Sequence, residues 1–271
     1  MNHSTTRFLL AALTLVTGNL RSADFTSNFG NVHDRVWAGE DYWANPMEDW
    51  QIQDGRLVCV RGGTDRNVHL LTFGLDEKPN AAFSMSVRLG LEEGSPKTGS
   101  AGFAIGVIDQ ETRDPRASLL FGKGLTAGVK ANGKLFLGKN IAEKPMKSVE
   151  DVTLRFEAIP KPRSNGYTLR IIAFKGGTKN ELGRLSSEIP KNESLVGNVA
   201  IGCNMEMESS RKGGTKLARF WFSDWKLSGD KVKARPDLAF GPILYAMHTL
   251  SRGTLKLTAQ MPPSLCPLGL V

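Results

Sequence analysis

Apolar and polar residues alternate with a period of two over most of this chain, which predicts strands rather than helices. In "DWQIQDGRLVCV" two alternating runs flank Asp54-Gly55, a pair that supplies positive φ at both corners of a two-residue hairpin turn. "LTAGVKANGKLFLG" repeats the device around Asn132-Gly133. The runs "HLLTF", "AFSMSVRLG", "AGFAIGVID", "ASLLFG", "DVTLRFEAI", "YTLRIIAF", "LGRLSSEI", "NVAIGCNM" and "LARFWFSDWKLSG" follow the same rule. With the hairpins they make about a dozen strands at the spacing of a two-sheet sandwich. The predicted class is all-β.

The pattern also divides the chain. "MNHSTTRFLLAALTLVTGNLRSADF" sets Arg7 before an apolar run from Phe8 to Val16 with small residues beyond, the layout of a signal peptide, here over 1–23. That run is too short to cross a bilayer, and no other is long enough. Export to a secreted or periplasmic location follows. The sandwich is expected over 24–229. After "WKLSG" the alternation stops, and "DKVKARPDLAFGPILYAMHT", with Pro236 and Pro242, reads as a linker over 230–250. From Thr254 alternation returns, with Leu255, Leu257, Ala259 and Met261 on one face and Thr254, Lys256, Thr258 and Gln260 on the other. Because "WKLSG" has the form of a closing strand, this one is expected to open a second, truncated β domain over 251–271.

Composition agrees with that reading. Of 271 residues 40% are hydrophobic, enough for a core, and 29 Gly with 13 Pro punctuate short strands. Arg7 and Arg21 of the leader account for two of the formal +8 charges. The basic clusters "KPR" (161–163) and "SRKGGTK" (210–216) lack interleaved aromatics, which predicts a solvated surface and no nucleic-acid partner. Cys59 and Cys203 sit inside strand-like runs and are candidates either for buried thiols or for a single disulfide between sheets; Cys266 is left over.

Candidate chemistry is sparse. "VWAGEDYWANPMEDW" holds Trp37, Tyr42, Trp43 and Trp50. Aromatic faces beside carboxylates and amides suit stacking on sugar rings, so Trp37, Tyr42 and Trp43 are candidate glycan-binding residues; Trp50 leads into a strand and is expected in the core. Glu206 and Glu208 share one side of an extended strand, as a carboxylate pair of a glycosidase would, but Arg211 stands where a third acid is expected. "DQETRD" (109–114) reads as a charged loop without calcium-loop spacing. "GVKANGKL" has Leu135 where a phosphate-binding loop needs Ser or Thr. His33, His69 and His248 are far apart, and neither Gly-x-Ser-x-Gly nor His-Glu-x-x-His occurs. No catalytic residue, metal ligand or cofactor is therefore assigned within this chain.

Two stretches resemble known families. "W-x-I-x-D-G-x-L" from Trp50 to Leu57 and the closing "RFWFSDWKLSG", with Phe222, Asp224, Trp225 and Leu227, resemble the concanavalin A-like or laminin-G-like sandwich, including secreted domains of the 3-keto-disaccharide hydrolase type. That resemblance implies a jelly-roll β-sandwich. "ARPDLAFGPILYAMHTLSRGTLKLTAQMPP" resembles the junction in secreted alkaline phosphatase D-like metallophosphoesterases. It implies an N-terminal, non-catalytic module with a binding or positioning role, with divalent metals and phosphoric ester hydrolysis confined to a downstream domain. The alternatives are a carbohydrate-binding module, with a polysaccharide or other glycan as partner, and a glycosidase-like hydrolase of the concanavalin A-like superfamily.

Overall fold

The computed structural model describes residues 24–161, 166–189, 195–206, 217–241 and 243–261. The expected signal peptide, Glu208, Arg211 and Cys266 lie outside the described residues.

Two eight-stranded antiparallel sheets pack face to face. The first runs, in spatial order, Glu181–Ile189, Gly166–Lys175, Val152–Lys161, Phe83–Leu91, Phe220–Ser228, Arg56–Cys59 and Trp50–Gln53, with Phe25–Thr26 pairing alongside Phe220–Ser228. The second runs Asn140–Ile141, Leu135–Leu137, Lys123–Lys130, Ser100–Ile108, Gly197–Cys203, Arg66–Leu75 and Val232–Ala234, with Tyr42–Asn45 also on Arg66–Leu75. Alternation decides which side chains meet between them: Met85, Val87, Leu89, Leu154 and Phe156 from one sheet face Val68, Leu70, Phe103, Ile105, Val199 and Ile201 from the other in a continuous core.

The closing strand shows how local backbone serves that core. Phe220 and Phe222 point inward, and a register shift between Ser223 and Lys226, with Asp224 at φ +50°, inserts one residue. The bulge switches parity so that Trp225 and Leu227 point inward as well. Trp225 then completes an aromatic cluster, its ring 5.5 Å from Phe25 and 6.1 Å from Tyr42, with Phe29 behind Tyr42 at 5.1 Å. Trp50 is fully buried, as expected.

Turn chemistry divides between the two expected hairpins. Asp54 and Gly55 both take positive φ, 49° and 71°, and Gln53 pairs with Arg56 across a two-residue turn. At the other hairpin only Gly133 is left-handed (φ 87°), and the Lys130 N–H bonds the Lys134 carbonyl around a three-residue loop, the geometry in which glycine ends a type I turn.

Two stretches differ from the expected elements. "ASLLFG" is not a strand: Ser118–Phe121 forms one helical turn. Asp114 redirects the chain there, its carboxylate accepting from the N–H groups of Arg116 and Ala117 and its carbonyl from Ser118. Within the expected linker, Val232–Ala234 adds an edge strand to the second sheet, and Phe240 is held by the Glu40 carbonyl and the Trp43 ring. The strand Thr254–Gln260 pairs with Tyr245–Ser251 in a separate exposed hairpin.

Candidate functional site

The outer face of the second sheet has an unusual composition. Cα partners in one cross-strand row are Asn45, Asn67, Gly202, Gly102, Gly128 and Phe136. The next row is Trp43, His69, Ala200, Ala104 and Thr126. Large polar and aromatic side chains thus stand at the margins, with three glycines and two alanines between them, of which only Ala104 is not fully buried. The glycines are required: a Cβ on Gly102 would collide with the Ala127 carbonyl, and one on Gly128 with the Ala101 carbonyl.

At the margin of this face lies an open cavity of about 430 Å3, lined by Asp65, Asn67, His69, Ala104 and Thr126, with the helical turn at Leu119–Phe121 and Lys123 as one wall and Met205 as another. Asp65, Asn67 and His69 occupy alternate positions, so the pleat that turns Val68 and Leu70 into the core turns these three toward the cavity. Asp65 sits at φ +52°, its N–H on the Asn204 carbonyl, at the point where the strand begins. Arg66 anchors that point through the buried Asp49 carboxylate at 2.8 Å.

A hydrogen-bond relay fixes the polar wall. Trp43 Nε1 donates to Asn45 Oδ1 at 2.8 Å; Asn45 Nδ2 donates to Asn67 Oδ1 at 3.1 Å and to the Leu119 carbonyl at 2.7 Å. Asn67 Nδ2 then donates to Asp65 Oδ1 at 2.9 Å. His69 is only 3% exposed and its Nδ1 has no partner among the described residues. Burial lowers its pKa to about 4, so the ring is neutral at physiological pH. A neutral imidazole can donate from one nitrogen and accept at the other, which suits a hydroxyl.

The expected site residues disperse. Tyr42 does not contact ligand space: at 2% exposure it belongs to the aromatic core, because its position on Tyr42–Asn45 has inward parity. Trp43, one residue on, faces outward, packs edge-on against Phe240 at 5.1 Å, and lines an apolar cleft of about 410 Å3 that shares Leu119 and Leu120 with the first cavity. Trp37 packs against Gly241 with the Arg35 guanidinium 5.0 Å over its ring. Glu206 accepts from the Ser100 hydroxyl. Among the described residues no group of His, Cys, Asp and Glu is arranged to hold a metal. Sequence reading passed over Asp65 and Asn67 and weighed His69 only against His33 and His248, although "DRNVHL" carries the signal of all three in polar residues at every second position beside Val68 and Leu70.

Cys59 and Cys203 are both buried thiols, on facing sheets. Burial, with the neighbouring Cys59 thiol, pushes the Cys203 pKa up. In the reduced protein both are expected to resist an aromatic disulfide reagent until the chain is unfolded. Labelling of either within minutes in native buffer, read by mass spectrometry, would contradict this packing.

The sequence matches no protein-family model and no curated protein. Solved structures share the fold, an antiparallel two-sheet jelly-roll β-sandwich. Basic winged bean lectin, solved with Tn-antigen, superposes with a TM-score of 0.50 at 9% identity, over 78% of this chain and 99% of the lectin. Peanut lectin, solved with a nine-residue peptide, gives 0.47 at 12% identity, over 79% and 99%. At such identities the likeness is one of fold.

Proposed function

We propose that this chain is an exported, non-catalytic glycan-binding module whose ligand lies on the outer face of the second sheet, beside the strand Arg66–Leu75. The observation that carries the reading is the convergence of a carboxylate, an amide and a neutral imidazole, from Asp65, Asn67 and His69, in one open cavity of about 430 Å3. Sugar hydroxyls both donate and accept, and a site built from a few fixed planar polar groups can match them in a defined orientation. The lectin-type fold is consistent with this role, and Trp43 beside the cavity offers an aromatic face to a second ring.

Binding of the wild-type chain to a glycan array tests the reading. Asn67→Ala is expected to weaken the bound glycan at least about tenfold, because it removes one partner and releases Asp65 from its hydrogen bond. Trp43→Ala is expected to weaken it less. No binding by the wild-type chain to any glycan would overturn the proposal.

The alkaline phosphatase D-like context belongs to the same proposal. The hairpin of Tyr245–Ser251 and Thr254–Gln260 exposes Leu250, Leu255 and Leu257, and a lone two-stranded hairpin is marginal in water. A following β domain packed on it would leave the sandwich as a positioning module. Metal-dependent phosphodiester cleavage by the 271-residue chain itself would contradict the non-catalytic role.

A further inference from the structure

Between Gly122 and Val149 the chain carries Lys123, Lys130, Lys134, Lys139, Lys144 and Lys147, opposed only by Glu143. None of these lysines makes a salt bridge among the described residues, whereas Arg88, Lys161, Arg184 and Lys233 each have a carboxylate partner. The fold concentrates this charge, because the run forms the edge of the second sheet through Lys123–Lys130, Leu135–Leu137 and Asn140–Ile141.

Three of the six line ligand space. Lys123 borders the cavity of Asp65, Asn67 and His69. Lys130 and Lys139 border a second depression of about 800 Å3, with Asn140, Ser187 and Thr126, which joins the first through the shared residues Gly124 and Thr126. Two carboxylates border the same cavities, Asp65 and Glu206, each accepting one hydrogen bond from a neutral donor, Asn67 and Ser100, and three ammonium groups outnumber them. The path from one cavity to the other is therefore a groove of mixed lining, with Phe136, Leu137 and Ile141 among its apolar residues, ammonium groups along one side and hydroxyl-matching groups at its end.

Resting on the glycan-binding reading above, we infer that the ligand is an acidic polysaccharide, whose carboxylate or sulfate groups meet Lys123, Lys130 and Lys139 while one sugar ring occupies the Asp65, Asn67 and His69 cavity. A polymer is implied because the lysines continue from one cavity into the next. An anionic group on each repeat would displace small counterions from the groove as it binds, so the interaction must weaken as salt rises.

Titration of the wild-type chain with dextran, dextran sulfate and a polyuronate distinguishes the sources of charge, with a polynucleotide and anionic lipid vesicles as further arms. At least one acidic polysaccharide is expected to bind tenfold or more tighter than dextran, and to lose at least tenfold between about 50 and 500 mM salt. A Lys130→Glu, Lys139→Glu double variant is expected to lose at least tenfold for that polymer, and Lys130→Arg, Lys139→Arg to retain it. Equal affinity for dextran and both acidic polymers, or tighter binding of the polynucleotide or vesicles, would overturn the inference. If the array identifies a neutral glycan and these polymers do not bind, only this inference falls; if neither neutral nor acidic glycans bind, the functional reading falls with it.

Discussion

Gly102→Val is expected to destabilise the sandwich by more than about 3 kcal/mol, enough to deplete the folded protein, because it overpacks a site where no side chain can relax into free space. The obstructing atoms are backbone: the Ala127 carbonyl oxygen and the Gly128 Cα on the neighbouring strand. To admit a branched side chain, Ser100–Ile108 and Lys123–Lys130 would have to separate, which breaks the ladder from Ala101 to Ile105 that holds them. Gly30→Ala is the matched control, since nothing lies within 4 Å of its Cβ position; it should change stability by no more than about 0.5 kcal/mol. Chemical denaturation of the two variants measures the contrast. Wild-type stability in Gly102→Val would show that the strands do not approach as closely as described.

The second large effect is acid sensitivity centred on His69. Its folded pKa, about 4, lies below the ordinary histidine value of 6.5, so between those values the unfolded chain binds a proton that the folded chain refuses. Stability therefore rises with pH across this window and is lost as pH falls, by about 3 kcal/mol in total between pH 7 and 4. Hydrogen-bonded carboxylates add to the loss lower down: Asp109 is held below its usual range by Thr112, Asp151 by Arg88 and Glu181 by Arg184. They matter only near and below about pH 4, where carboxylates normally titrate. The interval from about pH 6.5 to 4.5 thus belongs to His69. Denaturant melts across that interval should show the slope in the wild type and its loss in His69→Gln. A slope that persists unchanged in the variant would assign the proton to another group.

The fold was legible wherever the pattern reports on the inter-sheet core, and least legible on the outer faces. Period-two alternation located the main strands, and Asp54-Gly55 identified its turn because both residues tolerate positive φ. "ASLLFG" misled because an apolar run of that length carries no period of its own, and Asp114 upstream decided the matter through three hydrogen bonds. Tyr42 and Trp43 were read together as surface aromatics, although adjacent strand residues must face opposite ways; only the pairing with Arg66–Leu75 showed which faces in. Asp65 and Asn67 escaped notice, and His69 was not joined to them, because their strand is buried on both faces, so "HLLTF" reads as a core run. The lysines of the sheet edge were in plain view, but spread over 25 residues they formed no motif until hairpins folded them against one groove.

The relay from Trp43 to Asp65 has a direction, and the direction is imposed by its ends. An indole N–H can only donate and the Leu119 carbonyl can only accept, so the Asn45 amide has one allowed orientation, and Asn67 must follow it. The bonds that link Trp43, Asn45, Asn67 and Asp65 all donate toward Asp65, which is the terminal acceptor at the cavity wall. On the proposed reading, the site recognises a ligand by a hydrogen that the ligand must bring. An analogue with a proton at carbon in place of that hydroxyl leaves a partly desolvated carboxylate facing nothing, and the penalty falls on the missing group rather than on excess bulk. Discrimination of this kind tolerates decoration elsewhere on the sugar while rejecting a single deoxygenation.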